Sequence, residues 1–286
     1  MAAISDISII GPDAGTTRST EYGTERLICG PQLCGSRHLA AYYRTVGKRG
    51  SWSVKEDGNY QLLYVIDAPG GGTITAQGGR HAASAGAGTL IAPGETATFE
   101  TKDLELNLLQ LIVDTPPGAV EAGLPGGPGY FFDRDTLRAL KDASGGRVRR
   151  FCAESSVRLS DGRRLTPTNA IQAGEMHYNA GGASPYHCHR GTAANPEGAD
   201  HCYITFKGQG RVEVEGSSRD IEPRTLVYFP PGVPHRLSAV GGPLDYFEVQ
   251  AWRSFKTTIL SEEPLGLKWY YESNTANAPA VEWNQS

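Results

Sequence analysis

The chain repeats itself, and that constrains its fold more than any other feature. Gly70, Gly72, Gly78 and Gly94 recur, at one constant offset, as Gly208, Gly210, Gly216 and Gly232. The first copy reads Gln61-Leu62-Leu63-Tyr64-Val65-Ile66, then Thr73-Ile74-Thr75, then Thr89-Leu90-Ile91-Ala92-Pro93-Gly94. The second reads Cys202-Tyr203-Ile204-Thr205-Phe206, then Arg211-Val212-Glu213-Val214, then Thr225-Leu226-Val227-Tyr228-Phe229-Pro230-Pro231-Gly232. The pairs Thr89-Leu90 and Thr225-Leu226 have a slightly smaller offset than the glycines, so the intervening turns differ in length between the copies. Short β-branched and aromatic runs separated by glycine turns predict strands of a sandwich or barrel, here duplicated.

Composition agrees. With 36 glycines and 18 prolines in 286 residues, turns are frequent and long helices few, and the length suffices for two ordinary cores. We expect an all-β chain with an N-terminal barrel over 1–120, a linker over 121–150 and a C-terminal barrel over 151–286. The stretch 116–129 is rich in glycine and proline. Asp133 to Asp142 has an acidic start and an Ala-Leu face, which predicts a short inter-domain helix.

A formal charge of −4, with both signs interspersed, offers no basic stripe for nucleic acid. The N-terminus lacks a basic region followed by an apolar one, and no apolar run is long enough to cross a membrane, so the expectation is a soluble cytoplasmic protein. Five cysteines, an odd number, read as reduced thiols. Cys29 and Cys34 have no second pair to complete a zinc ribbon and read as buried structural thiols.

Four of the seven histidines crowd into the stretch from His187 to His235. In a strand, residues two apart face the same side, so His187 and His189 form a clamp while Cys188 points away. His201 opens the next strand, and Cys202 again faces the other way. His235 follows Pro230-Pro231-Gly232-Val233-Pro234, a turn whose prolines fix where the returning chain delivers the ring. If the strands pair antiparallel, the imidazoles converge inside the barrel. Such a grouping marks a metal site far more often than a set of ordinary barrel histidines.

These residues resemble the cupin superfamily, whose pattern is Gly-x5-His-x-His-x3-4-Glu-x6-Gly, then Gly-x5-Pro-x-Gly-x2-His. The chain supplies Gly181 and Gly182 ahead of His187-Cys188-His189, then His201 ahead of Gly208 at the spacing of the pattern, and Pro230-x-Gly232-x-x-His235. It departs in three places. His201 stands where the glutamate is expected, the spacer after His189 is lengthened to run from Arg190 to Asp200, and Arg224 replaces a glycine. The spacer looks like an excursion over the barrel mouth, from which Glu197 or Asp200 could also reach the metal. The resemblance implies two tandem cupin (jelly-roll) barrels with a metal site on His187, His189, His201 and His235 in the C-terminal one. The first copy has Ala97 opposite His235, Leu63 opposite His201 and Ser53-Val54-Lys55 near the His-x-His position, which leaves it a structural role.

Neutral imidazole suits iron, zinc, copper and nickel. With no carboxylate ligand the site is expected to stay near +2 and to attract an anionic or chelating small molecule. Among cupins, three- and four-histidine sites occur in iron dioxygenases of diketones, thiols or aromatic diols and in a zinc-dependent polyketide cyclase. The resemblance therefore implies an Fe(II) dioxygenase first, then a Zn(II) or Mn(II) cyclase, isomerase or lyase, then a non-enzymatic ligand-binding bicupin. His177 is a candidate to line the cavity, with a packed or surface position as the alternative. Tyr246, Glu248 and Gln250 share one strand face, either solvent or interior. If interior, Glu248 is the best general acid or base. Tyr186 and Tyr203, beside ligands in sequence, are assigned to packing and turned away from the metal. The aromatic segment Leu265 to Tyr271 reads as a core or subunit contact and leaves a homodimer open.

Overall fold

The computed structural model describes residues 3–54, 58–114, 129–137, 139–142, 146–153, 170–193, 195–251, 255–260 and 269–271. Among them the helical segments are a 3-10 turn at Ile4–Asp6 and a single α turn at Pro31–Cys34; the regular structure is otherwise β. No described helix is long and apolar enough to cross a membrane. The chain divides into two compact units, Asp13–Leu137 with Ala153–Ile171, and Met1–Pro12 with Arg138–Cys152 and Gln172–Ser286.

The N-terminal unit holds two antiparallel sheets. One runs Tyr130–Phe132, Gly88–Ile91, Tyr60–Asp67, Leu106–Val113, Leu39–Val46, Gly23–Cys29, Thr17–Thr20; the other runs Ser51–Val54, Ala97–Thr101, Gly72–Ala76, Gly79–Ala82. Their inner faces bury Trp52, Leu63, Val65, Ile74, Phe99 and Leu108 in one core. Alternation extends that face to Gln61 and Gln110, where the Gln110 amide donates to Gln61 Oε1 at 2.6 Å. Arg44 donates to Gln110, Tyr22 and Glu25 and packs over Tyr42 and Trp52. The barrel without the histidine cluster thus carries a connected polar network.

In the C-terminal unit the order is Ser8–Ile10, Leu226–Phe229, Asp200–Val214, Arg236–Ala251, Ile171–Tyr178, Arg147–Ala153, Leu140–Asp142, Trp269–Tyr271, with Ser217–Ile221 also on Asp200–Val214. His187–Gly191 pairs separately with Phe255–Ile259. The N-terminal strand covers the edge of Leu226–Phe229, with Ile9 opposite Val227, and satisfies backbone groups that would otherwise form an open edge. Residues Met1–Pro12 therefore group with the C-terminal barrel, a division that differs from the boundary drawn on sequence.

The duplication is visible in the turns. Gln77-Gly78 joins Ala76 to Gly79, and Glu215-Gly216 joins Val214 to Ser217, each as a two-residue hairpin with positive φ at both positions (47° and 72°; 34° and 80°). That is the type I′ geometry whose twist matches paired strands. The strand registers adjust one equivalence, however. Leu90 faces Leu62 while Leu226 faces Ile204, so the position of His201 falls on Asn59 instead of Leu63.

Among the described residues, the expected helix over Asp133 to Asp142 does not form. Asp133 spends its acceptors on one turn: its side chain takes the Asp135 N–H at 3.0 Å, and its carbonyl takes the Thr136 and Leu137 N–H groups at 2.9 and 3.1 Å. Leu140–Asp142 is then a strand, with Leu140 opposite Arg149 and Tyr271. Sheet pairing outcompetes a helix too short to sustain itself. Most of the 116–129 linker lies outside the described residues, as do the side chains of Trp269–Tyr271.

Candidate metal centre

Backbone pairing sets the four imidazoles. His187 and His235 exchange both backbone hydrogen bonds, His187 N–H to His235 O at 3.0 Å and His235 N–H to His187 O at 2.8 Å. Gly232, in the left-handed region at φ 80°, donates its N–H to His189 O at 2.7 Å, tying the proline turn to the His-x-His strand. His201 lies opposite Phe229 on one side and Gln250 on the other. Ring centroids of the four histidines are 4.4 to 6.5 Å apart in all six pairings. In the N-terminal unit the corresponding strand pair sets Val54 against Ala97, neither of them a ligand.

Hydrogen bonding orients the rings. His187 Nδ1 lies 2.8 Å from Pro185 O, His235 Nδ1 2.9 Å from Val233 O, and His189 Nδ1 3.1 Å from Thr257 Oγ1. An Nδ1–H donated to a carbonyl leaves the Nε2 lone pair for a metal. His235 Nε2 is accordingly buried with no hydrogen-bond partner. His201 is turned the other way: Nε2 lies 3.2 Å from Glu248 Oε1, and Nδ1 is the buried nitrogen without a partner. Gln250 Nε2 lies 3.2 Å from His189 Nε2 and 3.3 Å from Glu248 Oε1. Ligand atoms within 4.8 Å of one another fall into two sets sharing His189: His187, His189 and His235, and His189, His201 and Glu248. Unpartnered buried nitrogens beside a carboxylate fit a transition metal bound by imidazole and carboxylate.

Protonation states agree with this. Burial pushes His187 down to about 4, against a smaller upward pull from the Pro185 carbonyl. Burial also holds His189 and His235 well below the ordinary imidazole value, assisted by neighbouring histidines. For Glu248, burial pushes upward, but the His201 hydrogen bond and the charges of Arg149, His201 and His187 outweigh it and hold the carboxyl at about 2. The centre therefore presents neutral imidazoles at His187, His189 and His235 and an ionised carboxylate at Glu248 near neutral pH.

The shared face of Tyr246, Glu248 and Gln250 is interior, all three being buried. Glu248 brings a negative charge to a site expected to have none. Tyr203 is a correction: it lies two residues from His201, on the same face, with its ring 4.7 Å from His201 and 5.8 Å from His235. Tyr186 does reach away, its hydroxyl accepting the Glu215 N–H. His177 is outside the cluster, half-buried between Asp245 and Asn179. In the spacer, Asp200 accepts a hydrogen bond from Tyr228 Oη at 2.8 Å and Glu197 is exposed; neither joins the ligand cluster. Sequence reasoning missed Gln250 as a neighbour of His189. It also missed Arg149, whose positive charge acts on Glu248, Tyr178, Tyr246 and Tyr203. Tyr246 Oη donates to Tyr178 Oη at 2.8 Å, and Tyr203 stacks edge-on against Tyr246 and Phe229.

This barrel matches the cupin domain family over residues 174–250, and with its companion it gives the chain a bicupin fold. Similar solved structures include a glyoxylate-induced protein from Pseudomonas aeruginosa, with a TM-score of 0.67 at 13% identity over 90% of this chain and 92% of that one. A Lactobacillus farciminis oxalate decarboxylase formate complex gives 0.67 at 13% identity over 91% and 90%. A Bacillus subtilis oxalate decarboxylase variant gives 0.62 at 13% identity over 88% and 79%. No curated protein matches the sequence. At such identities the likeness establishes the fold.

Proposed function

We propose that the C-terminal barrel is the active site of a mononuclear metal-dependent enzyme acting on a small anionic or chelating substrate. The observation that carries this reading is the convergence of four buried imidazoles, three of them with Nδ1 engaged by an oxygen. His187, His189 and His235 would hold the ion, with His201 completing the donor set and Glu248 standing against His201 as a base. An imidazole-rich set suits Fe(II), and the first reading is a non-haem dioxygenase of a small enolisable, aromatic or thiol substrate. Iron would supply redox chemistry with dioxygen, whereas Zn(II) or Mn(II) would supply Lewis acidity.

The remaining side chains have roles of their own. The positive charge of Arg149 favours the ionised form of Glu248. Tyr203 and Phe229 wall the rings with apolar surface and exclude water. Glu248, ionised and against His201 Nε2, can accept a proton from substrate and hold it between the two groups. That carboxylate favours a second reading, a non-redox cyclase, isomerase or lyase in which proton transfer is the main event. The oxalate decarboxylases that share the fold act, by their names, on a small dicarboxylate, which is consistent with an anionic substrate.

Elemental analysis of natively purified protein separates the readings. Stoichiometric iron with dioxygen uptake on adding diketones, phenols or thiols supports the dioxygenase; zinc or manganese without uptake sinks it. Glu248→Gln keeps the volume and removes the base. It is expected to lower kcat by about 10²- to 10⁴-fold with metal content retained. Loss of the metal in that variant would make Glu248 a ligand instead.

A further inference from the structure

Cys29 and Cys34 lie in the N-terminal unit, and neither has a part in the proposed chemistry. The strand Gly23–Cys29 ends at Cys29, and Pro31–Cys34 makes one helical turn in which the Leu33 and Cys34 N–H groups both donate to Gly30 O, at 3.1 and 3.0 Å. Gly35, at φ 77°, closes the turn with its N–H on Pro31 O. Buried Ser36 then fixes the exit by exchanging hydrogen bonds with Leu39, its hydroxyl donating to Leu39 O and accepting the Leu39 N–H. This frame holds the two sulfurs 3.1 Å apart, with the Gly30 N–H directed at Cys34 Sγ at 3.4 Å.

We propose that Cys29 and Cys34 are a modification site that forms a reversible disulfide by exchange with a low-molecular-weight disulfide such as oxidised glutathione. A disulfide bond of about 2.05 Å requires the sulfurs to close by about 1 Å, within reach of side-chain rotation in a turn already built. Among the described residues, no histidine, carboxylate or further cysteine completes a metal-binding group with this pair, so its geometry fits a sulfur–sulfur bond and not a zinc site.

Exposure sets the order of events. Cys34 is 9% exposed and Cys29 is fully buried, so Cys34 is the entry thiol. Its thiolate attacks one sulfur of the glutathione disulfide, breaking that bond and releasing one glutathione thiolate. The Cys29 thiolate then attacks Cys34 Sγ in the mixed disulfide and releases the second. Two protein thiols lose two protons and two electrons, and the reagent becomes two thiols. The Cys29 thiol and burial push the Cys34 thiol upward, so exchange is slow at neutral pH and accelerates as pH rises.

The test uses full-length protein exposed to oxidised glutathione, acid-quenched, blocked with N-ethylmaleimide and digested with trypsin, which leaves both cysteines in the peptide from Leu27 to Arg37. The expected result is that this peptide loses two hydrogens and takes up no maleimide, and that dithiothreitol reverses both changes. Cys29→Ser should accumulate one glutathione on Cys34, whereas Cys34→Ser should leave Cys29 unmodified. Two maleimides on the wild-type peptide after oxidation, linkage only in urea, or protection by bound zinc would each overturn the proposal. The wild-type peptide map decides even where a variant fails to fold.

Discussion

His235→Leu is expected to purify as a folded protein that has lost its metal. The imidazole of His235 is delivered by a turn anchored through Gly232 to His189 O, and its Nε2 is buried without a partner. Removing one direct ligand should weaken binding by more than the roughly 10- to 100-fold typical of outer-shell changes. Metal-free stability should move the other way. A buried nitrogen without a partner costs about 1–3 kcal/mol, and leucine removes it while keeping apolar contact with Phe229, on which the ring stacks at 4.0 Å. The variant without metal should therefore unfold at or above the midpoint of metal-free wild type. Adding metal at about 1,000 times the wild-type Kd should raise wild type by about 4 kcal/mol and the variant by no more than about 1.4 kcal/mol. Stoichiometric metal retained by His235→Leu would show that the ion sits on His189, His201 and Glu248 instead. His201→Ala is the complement: unchanged metal content there would restrict the ligands to His187, His189 and His235.

The legible parts of this molecule are those fixed by local geometry. Glycine turns mark the repeat because a two-residue I′ hairpin needs positive φ, and Gly78 and Gly216 supply it in both copies. The His-x-His clamp follows from the strand period. The same period places Tyr203 beside His201, two residues on, and the assignment of its ring to the opposite face overlooked it. Other features depend on pairing across the sheet, which no local pattern encodes. Alternation groups Tyr246, Glu248 and Gln250 but cannot tell interior from solvent. Their burial follows from the register that sets Glu248 opposite Tyr203 and Gln250 opposite His201. Arg149 is hidden because composition marks the start of its strand as linker, and Ser8–Ile10 because its partner strand stands in the other half of the chain. The equivalence of Leu63 with His201 fails because register shifts near Thr205 and Lys207, and near Asn107 in the first copy, displace the strands relative to their glycine turns.

Mild acid should unfold the metal-free C-terminal unit over a window set by histidine. In the unfolded chain an imidazole titrates near 6.5, whereas burial holds His187 at about 4 in the folded barrel. Between these values the unfolded state binds a proton that the folded state refuses. Stability is then complete above pH 6.5 and is lost as pH falls toward 4, by about 3 kcal/mol for His187 alone. His189 and His235, held well below their ordinary value by the same burial, act in the same direction, though neighbouring sites do not add independently. Glu248 follows at lower pH, since its contribution is present above 4.5 and disappears only toward 2. Bound metal shifts the scale without changing the sign, because protons compete for the same nitrogens and acid releases the ion. Urea midpoints of the metal-free protein measured from pH 8 to pH 4.5 should fall steeply below about 6.5, and His187→Leu should flatten the slope. A midpoint constant from pH 7.5 to 5 would mean that water reaches these rings, and the dry, preorganised centre on which the enzymatic reading depends would have to be abandoned.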